Sequence, residues 1–83
     1  MKILDAKIGD IITYNNPKHN EFWVGCKFKV LKIDSDEYYL ECVYVTEKHK
    51  LFTGLRTEVG KKDRLYKNRF LQPVTKNHLP KWF

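Results

Sequence analysis

Serine, glycine and proline are all scarce in this 83-residue chain, which holds one serine (Ser35), four glycines and three prolines. The low glycine and proline content, without internal repeats, excludes a collagen-like or low-complexity segment. The lone serine sits in an acidic turn away from any histidine in sequence, and the carboxylates are scattered over turns and strand surfaces, so no nucleophile–base or paired-acid arrangement is visible. Uninterrupted apolar runs stay far below the roughly 18 residues that cross a bilayer as a helix. The start, Met1-Lys2-Ile3-Leu4-Asp5, shows no apolar h-region of about 7–15 residues, and a cytoplasmic protein is expected. Cysteine is limited to Cys26 and Cys42 inside apolar strand patterns, which reads as two reduced, buried thiols rather than a disulfide. His19, His49 and His78 lack paired ligand spacing with them, so neither zinc nor any other metal is expected. Nothing suggests a cofactor or a membrane partner.

What the chain does have is positive charge, unevenly placed. Its formal net charge is +6, with 42% apolar and 31% charged residues. Ten basic residues against three acidic ones follow Val45, about +7, whereas the portion up to Val45 sums to −1. A basic half of this kind suits a polyanionic partner, because each phosphate neutralised releases condensed counterions. The size allows one domain over residues 1–83, with 75–83 as a C-terminal tail, and one binding site at most.

Along the chain, Ile8–Tyr14 is rich in β-branched and aromatic residues and reads as a first strand, stopped by Asn15-Asn16-Pro17. Asn15–Glu21 reads as a loop with an aromatic exit at Phe22-Trp23. Cys26, Phe28 and Val30 alternate with Lys27 and Lys29, a second strand with one basic face in water. Leu31 and Ile33 break that phase around Lys32, which predicts a bulge. Asp34–Glu37 forms the turn into a third strand carrying Tyr38, Leu40, Cys42 and Tyr44 inward. Matching faces predicts Phe28 opposite Cys42, Cys26 opposite Tyr44 and Val30 opposite Leu40. Tyr39, Val43 and Val45 then make the outer face more apolar than a fully solvated one, to be covered by the tail residues Trp82 and Phe83 or by a partner. After a polar connection over Thr46–Lys50, Leu55, Thr57 and Val59 alternate with Arg56 and Glu58 as a fourth short strand. The basic run 61–69 is expected to hold one helical turn capped by Asp63, with Leu65 and Phe70 as inward anchors, before a last edge strand over Phe70, Leu71 and Val74.

Five short strands with one helical turn before the last resemble an SH3-like barrel, an all-β fold. Lys7, Ile8, Gly9, Asp10 and Ile12, followed by Gly25, Val30, Lys32 and Ile33, resemble a KOW-type motif, although its usual second glycine after the loop is missing and the loop is longer. Domains of this kind occur in ribosomal proteins, transcription elongation factors and small phage proteins, so the resemblance implies binding rather than catalysis. The abundance of lysine, asparagine, tyrosine and phenylalanine also fits an AT-rich phage gene.

The expected function is therefore a non-enzymatic nucleic-acid-binding module that contacts the phosphate backbone of duplex or single-stranded nucleic acid. Lys61, Lys62, Arg64, Lys67 and Arg69 are the candidate phosphate contacts, with Tyr66 and Trp23 as candidate stacking residues. The alternative is a protein-interaction module, such as a phage effector acting on a host transcription, restriction or defence protein, with Trp23 as its anchor.

Overall fold

A computed structural model of the chain describes residues 3–72. Among these, one antiparallel sheet carries four strands in chain order: β1 (Ile11–Thr13), β2 (Lys27–Ile33), β3 (Glu37–Tyr44) and β4 (Lys62–Tyr66). Two single-turn helices, α1 (Pro17–Asn20) and α2 (Glu47–Leu51), lie in the connections, and a 3₁₀ turn (Lys67–Arg69) follows β4. The protein is thus predominantly β. The tail residues Val74, Trp82 and Phe83, and with them the expected cover of the outer face, lie outside the described residues.

The first strand is shorter than expected because Lys7–Asp10 is spent on a turn. Gly9 takes φ +95°, and the Asp10 carboxylate accepts the Lys7 N–H at 2.9 Å. The ladder to β2 extends past the strand at both ends. Gly9 N–H donates to Val30 O (2.8 Å), and Tyr14 N–H donates to Cys26 O (2.9 Å). Gly25 returns the chain to β2 at φ +97°, and a Cβ there would stand 2.7 Å from Thr46 Cγ2. Glycine is needed at this point on both counts.

β2 and β3 pair as their alternation demands. Phe28 lies opposite Cys42 and Val30 opposite Leu40, and the register shifts after Val30 so that Lys32 faces Tyr39 and Ile33 faces Tyr38. The expected bulge is therefore present. The expected pairing of Cys26 with Tyr44 is not: a second irregularity between Lys27 and Phe28 puts Lys27 opposite Tyr44, which is left half-exposed instead of inward. Cys26 and Cys42 are free thiols buried in the core, and burial pushes both thiols up from their usual ionisation range.

The larger correction concerns the second half. Leu55–Val59 forms no strand, although its alternation fits one. Its polarity is inverted: Leu55 and Val59 face water, while Thr57 is drawn inside by His49. The Thr57 N–H donates to His49 Nε2 at 2.9 Å, so Nδ1 carries the proton and donates to Phe22 O at 3.1 Å. His49 is placed for this by α2, where the Thr46 hydroxyl caps the helix by accepting the His49 N–H at 3.1 Å. The fourth strand is instead the basic run itself. Leu65 pairs with Tyr38 and Asp63 with Leu40, so Asp63 is a strand residue and not a helix cap. The helical turn comes after the strand, over Lys67–Arg69.

Among the described residues the sheet has four strands, not five, and the expected last strand is reduced to a bridge between Leu71 and Ile3. Side-chain amides hold that segment. Asn15 grips Leu71 twice, donating from Nδ2 to its O and accepting its N–H at Oδ1, both at 2.7 Å, while Asn16 Nδ2 donates to Asn68 O at 2.7 Å. These grips seat Phe70 in the core, where its ring meets those of Tyr14, Phe28 and Tyr38 edge-on at 5.8, 6.0 and 5.9 Å. Aromatic pairs of this geometry contribute about 0.5–1.5 kcal/mol each beyond the area they bury. The core therefore closes through Phe70, although no regular strand carries it.

Candidate functional site

Consecutive residues of a strand point to opposite faces, and residues paired across strands share a face. Applied to the observed registers, these rules gather the basic residues of two distant segments on the outer face of the sheet. One row runs Ile11, Lys29, Glu41, Lys62, and the next runs Lys32, Tyr39, Arg64. Tyr66 follows opposite Glu37, on the diagonal from Tyr39. Lys27 completes the face on β2, where its ammonium donates to Thr13 Oγ1 at 3.0 Å. Five cations (Lys27, Lys29, Lys32, Lys62 and Arg64) thus stand against the acids Glu37 and Glu41.

Tyrosines are interleaved with these cations. The Arg64 guanidinium lies 5.7 Å from the Tyr39 ring centroid and ion-pairs with Asp34 at 2.9 Å, while Arg69 lies 5.5 Å from the Tyr66 ring. Tyr66 is 50% exposed and Tyr39 partly buried, and the two rings lie two positions apart on adjacent strands, each with an arginine over it. The opposite side of the sheet is the core.

The structure distributes the residues expected to form the site over three places. Lys62, Arg64 and Tyr66 lie together on the outer face, as β-alternation requires. Lys61 and Arg69 line a cleft on another side of β4, bounded by Tyr14, His19, Asn20, Trp23, Leu55 and Arg56. Lys67 folds over the buried ring of Tyr38, 5.4 Å from its centroid, in a hollow with Ser35 and Asp36. Trp23 is not the exposed stacking ring expected from the sequence but a core residue that borders the cleft. Only 6% exposed, it packs against Phe28 at 6.1 Å, and its indole N–H donates to Leu55 O at 3.1 Å. Its neighbour Phe22 is stacked on Phe52 at 4.6 Å, under Lys48.

Sequence reasoning missed Tyr39, Lys29 and Lys32 as members of the same surface as the basic run. Lys27 and Lys29 were legible as a solvent face, but that they share it with Lys62 and Arg64 depended on the run being a strand. Asp63-Arg64-Leu65-Tyr66 shows no apolar–polar alternation, two polar residues being followed by two apolar ones, so no period-two signal marked the run as a strand.

Among the described residues there is no group of three or more His, Cys, Asp or Glu side chains placed to hold a metal ion, and no helix is long and apolar enough to cross a membrane. Comparisons with protein-family models, with curated proteins and with solved structures found no match.

Proposed function

We propose that the chain is a non-enzymatic nucleic-acid-binding module that lays a single strand across the outer face of its sheet. The observation that carries this reading is the interleaving of Tyr39 and Tyr66 with Lys29, Lys32, Lys62 and Arg64 on one continuous surface. Cations spaced along a face track a phosphate backbone, and exposed aromatic rings accept bases regardless of their identity, because every base has a π-face. Lysine at most of these positions favours backbone contact over base readout, since an ammonium acts as a point charge without the planar fork that arginine uses on guanine. The module accordingly binds with little sequence preference.

The same reading takes the sheet as an incomplete SH3-like barrel that the Phe70–Leu71 segment closes against Leu4 and Asn15, supported by the Leu4 N–H to Phe70 O hydrogen bond of 2.7 Å. Two free buried thiols fit a reducing compartment, and the proposal places the protein in the cytoplasm.

The test is a fluorescence-anisotropy titration with single-stranded DNA, single-stranded RNA and duplex DNA, each from about 50 to 200 mM salt. The proposal expects the single strands to bind more tightly than the duplex, with affinity falling linearly in log salt. Equal or tighter duplex binding would remove the stacking role of the tyrosines. Absence of binding to all three at 50 mM would reject the proposal and move the face to the alternative role of a protein-interaction surface.

A further inference from the structure

The cleft beside β4 borders the outer face at Arg64 but is otherwise lined by different residues. Its volume is about 260 Å³, and its lining includes four cations, Arg56, Lys61, Arg64 and Arg69, against one acid, Asp63. The volume falls just under the range of about 300–1,000 Å³ typical of small-molecule sites. That is room for a group about the size of one nucleotide and too little for a duplex.

The charges in the cleft are cancelled only in part. Lys61 stands 3.9 Å from Asp63, and Arg64 is paired with Asp34. Arg56 and Arg69, by contrast, donate to neutral acceptors, the Lys50 carbonyl at 2.9 Å and the Asn68 side-chain oxygen at 2.8 Å. Among the described residues neither has a carboxylate at ion-pair distance. Arg56 is oriented by its one hydrogen bond, and Arg69 is held further by the Tyr66 ring at 5.5 Å and by the neighbouring Tyr14 hydroxyl, none of which carries a formal negative charge, so both guanidinium groups keep their charge for a phosphate.

The rest of the lining suits the remainder of a nucleotide. Leu55 is 78% exposed and gives an apolar lip, fixed by the hydrogen bond from Trp23 Nε1 to its carbonyl. Tyr14 and Trp23 form an aromatic floor with ring centroids 5.7 Å apart, and His19 and Asn20 supply polar edges from α1.

We infer that this cleft binds a phosphate-bearing ligand of single-nucleotide size, held through its phosphate by Arg56, Arg69 and Lys61. The ligand is either a free mononucleotide or one nucleotide of a strand. The inference is independent of the sheet-face reading, because it rests on different cations.

The experiment is an NMR titration of the isotope-labelled protein, following backbone amides and arginine side-chain N–H signals, with adenosine monophosphate, with adenosine and with tetrathymidylate. Saturable shifts at Arg56, Lys61 and Arg69 with adenosine monophosphate, and none with adenosine, are expected for a free nucleotide. The same shifts with tetrathymidylate alone identify the strand as the source. Arg56→Ala combined with Lys61→Ala, both at exposed positions, should weaken the response at least tenfold while leaving amides elsewhere unshifted. Arg56→Gln is the milder variant should the pair disturb the fold. Lys62→Ala should leave the response intact.

Shifts with neither phosphate ligand, or shifts with both confined to Lys29, Lys62 and Tyr66, would overturn the inference. The second result would leave the sheet-face reading standing. Binding of adenosine monophosphate in the cleft, with no oligonucleotide contact on the sheet, would do the reverse.

Discussion

Replacing Lys29, Lys32 and Lys62 together by alanine changes the outer face from five cations against two acids to two against two. If all five contact phosphates, the slope of log affinity against log salt on a single strand is near −3.5, at about 0.7 per contact. A fourfold rise in salt then weakens the wild type about a hundredfold. With two contacts left the slope is near −1.4, and the same rise costs only about sevenfold. These are upper values, since Arg64 already shares Asp34 and the Lys29 and Lys62 ammonium groups flank Glu41 across the strands. All three lysines are solvent-exposed, so each replacement should alter stability by no more than about 0.5 kcal/mol. A matched control removes three other lysines, Lys18, Lys48 and Lys50, which lie on α1 and α2 away from the sheet face. It keeps the overall charge equal to that of the test variant. Anisotropy titrations at four salt concentrations measure both slopes. Equal flattening by the two triple variants would mean that binding reads net charge rather than this surface, and an unchanged slope in the sheet variant would show that its lysines release no counterions.

Phe28→Ala should lower stability by roughly 3–5 kcal/mol in chemical denaturation, because its ring is fully buried between Trp23 and Phe70; a loss below about 1 kcal/mol would remove it from the core. Gly25→Ala combines a φ of +97° with a Cβ contact of 2.7 Å to Thr46, and should cost on the order of 1–3 kcal/mol. A neutral result for that variant would show that the turn relaxes freely. The thiols of Cys26 and Cys42 are both pushed up by burial, so the folded state holds their protons longer than the unfolded chain does. Their contribution is fully present below the unfolded thiol value of about 8.5 and is lost as pH rises towards the folded values, at no more than about 1.4 kcal/mol per pH unit for each thiol. Urea denaturation at pH 7, 8.5 and 9.5 checks the sign, and stability that holds flat or rises over this span would contradict it.

The hairpin of β2 and β3 was legible because both strands have strict alternation and a core on one side, which fixes register wherever one face is buried. The bulge after Val30 could be read from the same pattern, since Leu31 and Ile33 could not both face inward in phase with Val30. The shift at Lys27 left no such mark, as Cys26 is buried whether or not it pairs with Tyr44. The fourth strand was misplaced for a physical reason. Leu55–Val59 alternates and Lys62–Tyr66 does not, so periodicity pointed to the wrong segment, and the alternating one is claimed instead by a buried histidine that binds Thr57 from eight residues away. His49 sits in a segment that is otherwise polar and charged, so neither periodicity nor composition marks it as a core residue. The two asparagines before Pro17 had the composition of a turn. That their amides reach across to Asn68 and Leu71 is a tertiary property that no local pattern encodes.

The candidate site inherits that misplacement, and the difference has a consequence for how the basic run works. In a helical turn, Lys61, Lys62, Arg64, Lys67 and Arg69 would have wound around one short cylinder as a single patch. In a strand followed by a turn they divide: Lys62, Arg64 and Tyr66 go to the sheet face, Lys61 and Arg69 to the cleft, and Lys67 to the ring of Tyr38. β4 is the last strand of the sheet order, and Arg64 borders both surfaces from it. Two basic surfaces thus meet along one five-residue strand. Neutralising the whole run would erase both surfaces together and could not tell one site from two. Only alternate-residue substitutions, Lys62 against Lys61 with Arg56, separate the face proposed to hold a backbone from the cleft inferred to hold a single phosphate.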